Sequence, residues 1–155
     1  MKKIIMCFLL AFFFLHGPAF GAFNFIDNGN GTVTDRRTGL MWLKDANPCG
    51  KKTWEEAKRY CEKLSCGGYK DWRLPTKPEL QGIGTDPPTT WENGSPTVTW
   101  KKPDAPFVNV QDGNYWSGTT YEIPDYAAYV YVGTGFVLTN EKSNAVYVWP
   151  VRGGK

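Results

Sequence analysis

Histidine is nearly absent from this chain of 155 residues: the only one, His16, lies beside an apolar N-terminal run. Imidazole is the side chain whose ordinary pKa suits proton transfer near neutrality. No activated serine or cysteine constellation replaces it, so no enzyme is expected. Long hydrophobic runs are equally scarce. Ile4 to Leu15 spans about a dozen residues, short of the roughly 20 that cross a bilayer as a helix. With Met1-Lys2-Lys3 before it and Ala19-Phe20-Gly21 after it, the run reads as a secretory signal over residues 1–21, cut before Ala22. Cys7, the one lipobox-type candidate, falls inside the run, and no lipid anchor is expected. The expectation is an exported protein, periplasmic or secreted, in which residues 22–155 form a single domain with its own core.

Net charge is also small. Eighteen Lys and Arg face 15 Asp and Glu, and losing Lys2 and Lys3 with the leader brings the balance close to zero. Nucleic acid is therefore not an expected partner. Cysteine is sparse: beyond the leader only Cys49, Cys61 and Cys66 remain, with no Cys-x-x-Cys spacing and no histidine beside them. Neither a metal nor a cofactor is expected. In an oxidising compartment two of the three should pair. Cys49 and Cys66 flank a predicted helix, each in a loop, whereas Cys61 sits on the helix's apolar stripe. The expected disulfide is Cys49 with Cys66, leaving Cys61 buried and inert. The alternative, Cys49 with Cys61, requires the Pro48-Cys49-Gly50 loop to fold back along the helix.

What is present is organised around Gly67-Gly68-Tyr69-Lys70-Asp71-Trp72-Arg73-Leu74-Pro75-Thr76. Before it, Thr53-Trp54-Glu55-Glu56 is a capping box, followed by an apolar stripe at Trp54, Ala57, Cys61 and Leu64. Gly67-Gly68 stops that helix. After it, Thr76-Lys77-Pro78-Glu79 is a second box, opening a short helix through about Ile83. Asp71 to Leu74 is too short for a helix and precedes a proline, so it should be extended, with Trp72 and Leu74 on one face and Asp71 and Arg73 on the other. Asp71 and Arg73 are read as an ion pair or as caps for nearby backbone in preference to a ligand site.

Phe23 to Trp42 reads as strand, turn, strand, turn, strand, with Asn28-Gly29 and Asn30-Gly31 as turn signals. The acidic and amide residues from Asp27 to Asp35 do not match a calcium loop, because the third position is Gly29 and no closing glutamate follows. The stretch 84–114 is a long irregular loop, and loops of that length in a compact domain are usually functional or disordered. Trp91, Trp100, Lys101, Lys102 and Asp104 within it suit a carbohydrate or anionic polysaccharide, with ring faces for sugar C–H surfaces and lysines for carboxylate or sulfate. The same aromatics would also serve to pin the loop to the core. Asp104 and Asp112 could in principle flank a glycosidic bond, but their spacing in a loop predicts nothing. From Tyr115 the pattern is β, with strands near Tyr115–Ser117, Tyr126–Val132, Phe136–Thr139 and Ala145–Arg152, an antiparallel meander.

The central run with Glu79-Leu80 resembles the core motif of the bacterial domain of unknown function 1566, also called the Lcl C-terminal domain. The remaining elements are similar to it in order: Asp27 to Asp35, Thr38-Gly39-Leu40-Met41-Trp42, Tyr115-Trp116-Ser117-Gly118-Thr119, and Tyr147 to Arg152. The resemblance implies an α+β, C-type-lectin-like fold of two helices packed on antiparallel sheets, with Asp71, Trp72, Arg73, Pro75 and Trp116 as its structural motif. It also implies an adhesin-like role toward glycosaminoglycan-like polysaccharide. Relatives ending in Arg-Cys-Val-Arg have a cysteine that Val151-Arg152-Gly153 lacks, in keeping with an unpaired Cys61. The collagen-like repeat that accompanies trimerisation is also missing, which leaves the oligomeric state open. An envelope protein is the alternative partner. Arg73-Leu74-Pro75-Thr76 with Glu79 is also similar to a segment of formylglycine-generating enzymes, whose copper-binding cysteine pair would lie beyond Cys66, where this chain has none.

Overall fold

The structure, a computed structural model, describes residues 24–84, 90–92, 95–97 and 106–153. The proposed leader lies outside them. The N-terminal ribbon is strands β1 (Phe25–Asp27), β2 (Thr32–Asp35) and β3 (Met41–Leu43), paired antiparallel in sequence order. Gly29 and Gly31 carry φ of 72° and 84°, which glycine adopts without strain and which lets each Asn-Gly pair turn. The Asp27 carboxylate serves this turn by accepting the Gly29 N–H at 3.0 Å, and it meets Lys44 Nζ at 2.7 Å.

After the short strand β4 (Lys51–Lys52) come the two helices, α1 (Trp54–Lys63) and α2 (Lys77–Gly84). Both begin at their capping boxes. Glu56 Oε2 accepts the Thr53 N–H at 3.1 Å, and Glu79 Oε2 accepts the Thr76 N–H at 2.7 Å. Within the 84–114 stretch, β5 (Thr90–Glu92) and β6 (Ser95–Thr97) pair as a hairpin that the sequence did not suggest. The pattern was too short and too broken by proline to read as strand.

Strands β7 (Asn114–Thr120), β8 (Tyr126–Tyr131) and β9 (Phe136–Glu141) form the expected meander. The stretch from Ala145 onward does not continue it. It divides into β10 (Val146–Tyr147), which runs parallel to β7 on the side away from β8, and β11 (Val151–Arg152), which pairs with β3 in the other sheet. Pro150 lies at the switch, where it donates no ladder hydrogen bond while its carbonyl accepts the Leu43 N–H at 3.1 Å. The result is an α+β domain with a four-stranded sheet, β1-β2-β3-β11, and a five-stranded sheet, β4-β10-β7-β8-β9, both mostly antiparallel.

Alternation along β7 and β8 divides the core in two. Tyr115 and Val130 face one way, joining Leu80 and Ile83 of α2 with Trp42 and Trp149; Trp116 and Ala127 face the other, joining Trp54, Ala57 and Cys61 of α1. Trp149 is central to the first cluster. Its ring meets Trp42 and Phe107 edge-on at centroid distances of 5.5 and 5.0 Å, and its Nε1 donates to the Leu43 carbonyl at 2.9 Å.

Candidate functional site

The central motif is a tightly fixed crossing between the helices. Gly67 has φ of +62°, and a Cβ there would come within 2.6 Å of Thr32 Cγ2. Gly67→Ala is therefore expected to lower stability by about 1–3 kcal/mol, measured as a reduced urea midpoint with unchanged slope. The next residues are extended as expected. Arg73 and Val151 exchange backbone hydrogen bonds at 2.9 and 3.0 Å, which buries Trp72 and Leu74 and leaves Asp71 exposed.

Asp71 and Arg73 do not pair with each other, although alternation puts them on one face; the fold brings each a partner from another element. Arg73 makes a two-pronged pair with Glu79, Nη2 to Oε1 at 2.7 Å and Nη1 to Oε2 at 2.8 Å, and also donates to the Gly153 carbonyl at 2.8 Å. Burial pushes the Glu79 carboxyl up, but hydrogen bonds from Arg73 and the Thr76 N–H outweigh it and leave it below its ordinary value. Asp71 instead holds Arg152, Oδ1 to Nε at 2.7 Å, and that guanidinium lies 3.7 Å above the Tyr69 ring. The Pro75 carbonyl accepts the Gly118 N–H at 2.8 Å, and the fully buried Trp116 donates to the Lys52 carbonyl at 2.8 Å.

Of the loop candidates, Trp100, Lys101, Lys102 and Asp104 lie outside the described residues. Trp91 contributes backbone to β5, opposite Pro96. Asp112 accepts the Tyr131 hydroxyl at 2.7 Å at the surface.

The described residues gather cations elsewhere. One flank of α1 forms an open groove of about 370 Å³ lined by Lys52, Glu56, Arg59, Tyr60, Lys63 and Leu64. Arg59 and Lys63 stand one helical turn apart, and Lys52 comes from β4. None of these three cations makes a salt bridge among the described residues. Glu56, the groove's one acid, is drawn back to the helix start by the Thr53 backbone N–H, which holds its carboxyl below the ordinary value. Tyr60 supplies a half-buried aromatic wall, and burial pushes its hydroxyl up to about 12, so it stays a neutral donor. The sequence carried this signal as Lys51-Lys52 and the Arg59, Lys63 spacing, but nothing in it showed that Lys52, Arg59 and Lys63 line one groove.

A family profile for the Lcl C-terminal domain matches residues 31–152. The chain belongs to that family. The match runs from the β1–β2 turn to β11 and so takes in both helices, the five-stranded sheet and the four-stranded sheet except β1 of this Lcl C-terminal domain. A comparison with curated proteins returned no match.

The cysteines of this Lcl C-terminal domain correct the expected pairing. Cys49, Cys61 and Cys66 are all free, and Cys49 and Cys66 are not bridged. Cys49 packs with the α1 cluster of Trp54, Ala57 and Cys61, whereas Cys66 turns toward the Asn30 and Gly31 carbonyls, its Sγ 3.9 Å from each. The reciprocal backbone bonds between Cys66 and Tyr69 hold it there, facing β2. Cys61 is buried as expected, and its desolvated thiol is pushed up to about 12. Iodoacetamide is expected to modify Cys49 and Cys66 in the folded protein and to reach Cys61 only after denaturation, as read by peptide mass mapping.

Proposed function

We propose that this protein is a non-enzymatic exported binding domain that recognises anionic polysaccharide, with the α1 groove as its main contact. The observation that carries the reading is the set of Lys52, Arg59 and Lys63, three cations without salt-bridge partners among the described residues, around one aromatic ring. A helix turn advances about 5.4 Å, so Arg59 and Lys63 reach successive acidic groups along a chain. The arginine fork suits a carboxylate or sulfate, and Tyr60 offers a ring face to sugar C–H groups. Family membership supports an adhesin-like role, and the arrangement of helices and sheets suits a C-type-lectin-like scaffold. The loop residues Trp91, Trp100, Lys101, Lys102 and Asp104 are a separate set of candidate contacts in this reading.

The test is binding of the purified protein to immobilised heparin, hyaluronan and a neutral glucan. Lys52→Ala/Arg59→Ala/Lys63→Ala is expected to weaken polyanion binding at low salt by at least about tenfold, or 1.4 kcal/mol, while circular dichroism and melting stay as in the parent. Undiminished binding by that variant would remove the groove from the reading.

A second reading, a protein-binding envelope module, draws on one observation. Phe136 and Leu138 are 63% and 52% exposed on β9, an edge strand. Crosslinking in intact cells that recovers one partner, and loses it in Leu138→Lys, would favour it.

A further inference from the structure

The opposite flank of α1 carries a different concavity. A cleft of about 600 Å³ opens between α1, the extended segment ending at Thr76, and the end of β7. That volume lies in the range of sites for small organic ligands, roughly 300–1,000 Å³. Its floor is apolar and well packed, with Trp54, Cys61, Trp72 and Leu74 all buried.

The charges of the residues that line the cleft cancel. Arg73 borders it, but its guanidinium is already held by both Glu79 oxygens and by the carbonyls of Leu74 and Gly153. It is therefore no anchor for an incoming anion. The remaining charges are Lys58 and Glu62, one turn apart on α1 and opposite in sign. Lys58 lies 4.6 Å from the Trp54 ring and 3.8 Å from Glu55, and Glu62 makes no ion pair among the described residues.

Hydroxyls complete the rim. Thr119 Oγ1 accepts the Lys77 N–H and retains its own proton to donate, whereas Thr76 is engaged with Glu79, accepting its N–H and donating to its carboxylate. Thr120, exposed at the strand end, has no side-chain hydrogen bond among the described residues. An apolar floor beneath a charge-balanced rim of hydroxyls, one carboxylate and one ammonium matches a ligand with an apolar ring face and several hydroxyls on its edge. A polyanion gains nothing from such a rim.

We infer that this cleft binds a neutral sugar unit. The inference rests on the glycan-binding reading and adds a second, uncharged subsite to it. Helix α1 then forms a ridge between the two, with acidic groups held on the Lys52, Arg59, Lys63 flank and a neutral ring on the Lys58, Glu62 flank.

The experiment titrates the full chain with cellotriose, maltotriose and tri-N-acetylchitotriose, reading tryptophan fluorescence, since Trp54 and Trp72 line the cleft. At least one trisaccharide is expected to give a saturable change that is indifferent to salt. Thr120→Arg, which fills the mouth from an exposed position, and Glu62→Ala are each expected to weaken it at least about tenfold. Lys52→Ala/Arg59→Ala/Lys63→Ala should leave it unchanged. No response to any of the three up to about 10 mM, or a response that Thr120→Arg leaves intact, would overturn the inference. Heparin binding measured in parallel separates the failures: heparin bound without trisaccharide removes the cleft alone, while loss of both also removes the polysaccharide reading.

Discussion

Trp149→Ala is expected to cost about 3–5 kcal/mol of folding stability, a large share of the 5–15 kcal/mol typical of a whole domain. The indole is fully buried between the two large sheets, against Trp42, Phe107 and Tyr115, and its N–H satisfies the Leu43 carbonyl. Truncation leaves a cavity where three aromatic rings converge and strips that carbonyl of its partner. Urea unfolding should show the midpoint falling sharply, and a variant too unstable to purify would agree in direction. Trp149→Phe separates packing from the hydrogen bond, with an expected loss nearer 1–3 kcal/mol. A Trp149→Ala protein within 1 kcal/mol of the parent would mean that the two sheets do not share this core.

Arg73→Met carries the second large effect. It removes the partner of a half-buried carboxylate and two carbonyl contacts, at an expected cost of about 2–3 kcal/mol, below the 3–5 of a fully buried pair because solvent reaches both groups. Glu79→Gln in the same protein should recover part of the loss, since glutamine keeps the N-terminal cap of α2 without an unpaired charge. Acid adds an independent check. Glu79 is held below its ordinary 4.5, so the stability it contributes is present above that value and is lost as pH falls through the lower folded value. The parent should lose melting temperature below about pH 4.5, and Arg73→Met should show a shallower loss there.

Local signals in the sequence were enough to place the ribbon, both helices and the meander. Asn-Gly pairs, two capping boxes and the alternation of Trp72 and Leu74 each act over a few residues, and the structure follows them. What failed was long-range. Nothing near Ala145–Arg152 showed that the strand would split at Pro150 and serve two sheets. Asp71 and Arg73, read as an ion pair or as caps for nearby backbone, are not each other's partners: Glu79 and Arg152 reach them through the fold, while Arg73 also holds the Leu74 and Gly153 carbonyls. The Cys49–Cys66 pairing failed for the same reason, because flanking a helix does not fix which way each thiol faces. The cationic groove was legible only as scattered basic residues, because nothing local placed Lys52 with Arg59 and Lys63 along one groove.

The most direct measurement is the salt dependence of heparin binding by the parent and by the Lys52→Ala/Arg59→Ala/Lys63→Ala variant. Exposed cations recognising a polyanion should give an affinity that falls steeply with salt, because charges on an open surface are screened over about 10 Å at 0.1 M. The groove reading predicts that steep fall for the parent and a weaker, flatter dependence for the variant. Equal affinities and equal slopes for the two proteins, or no binding by the parent at low salt, would contradict it.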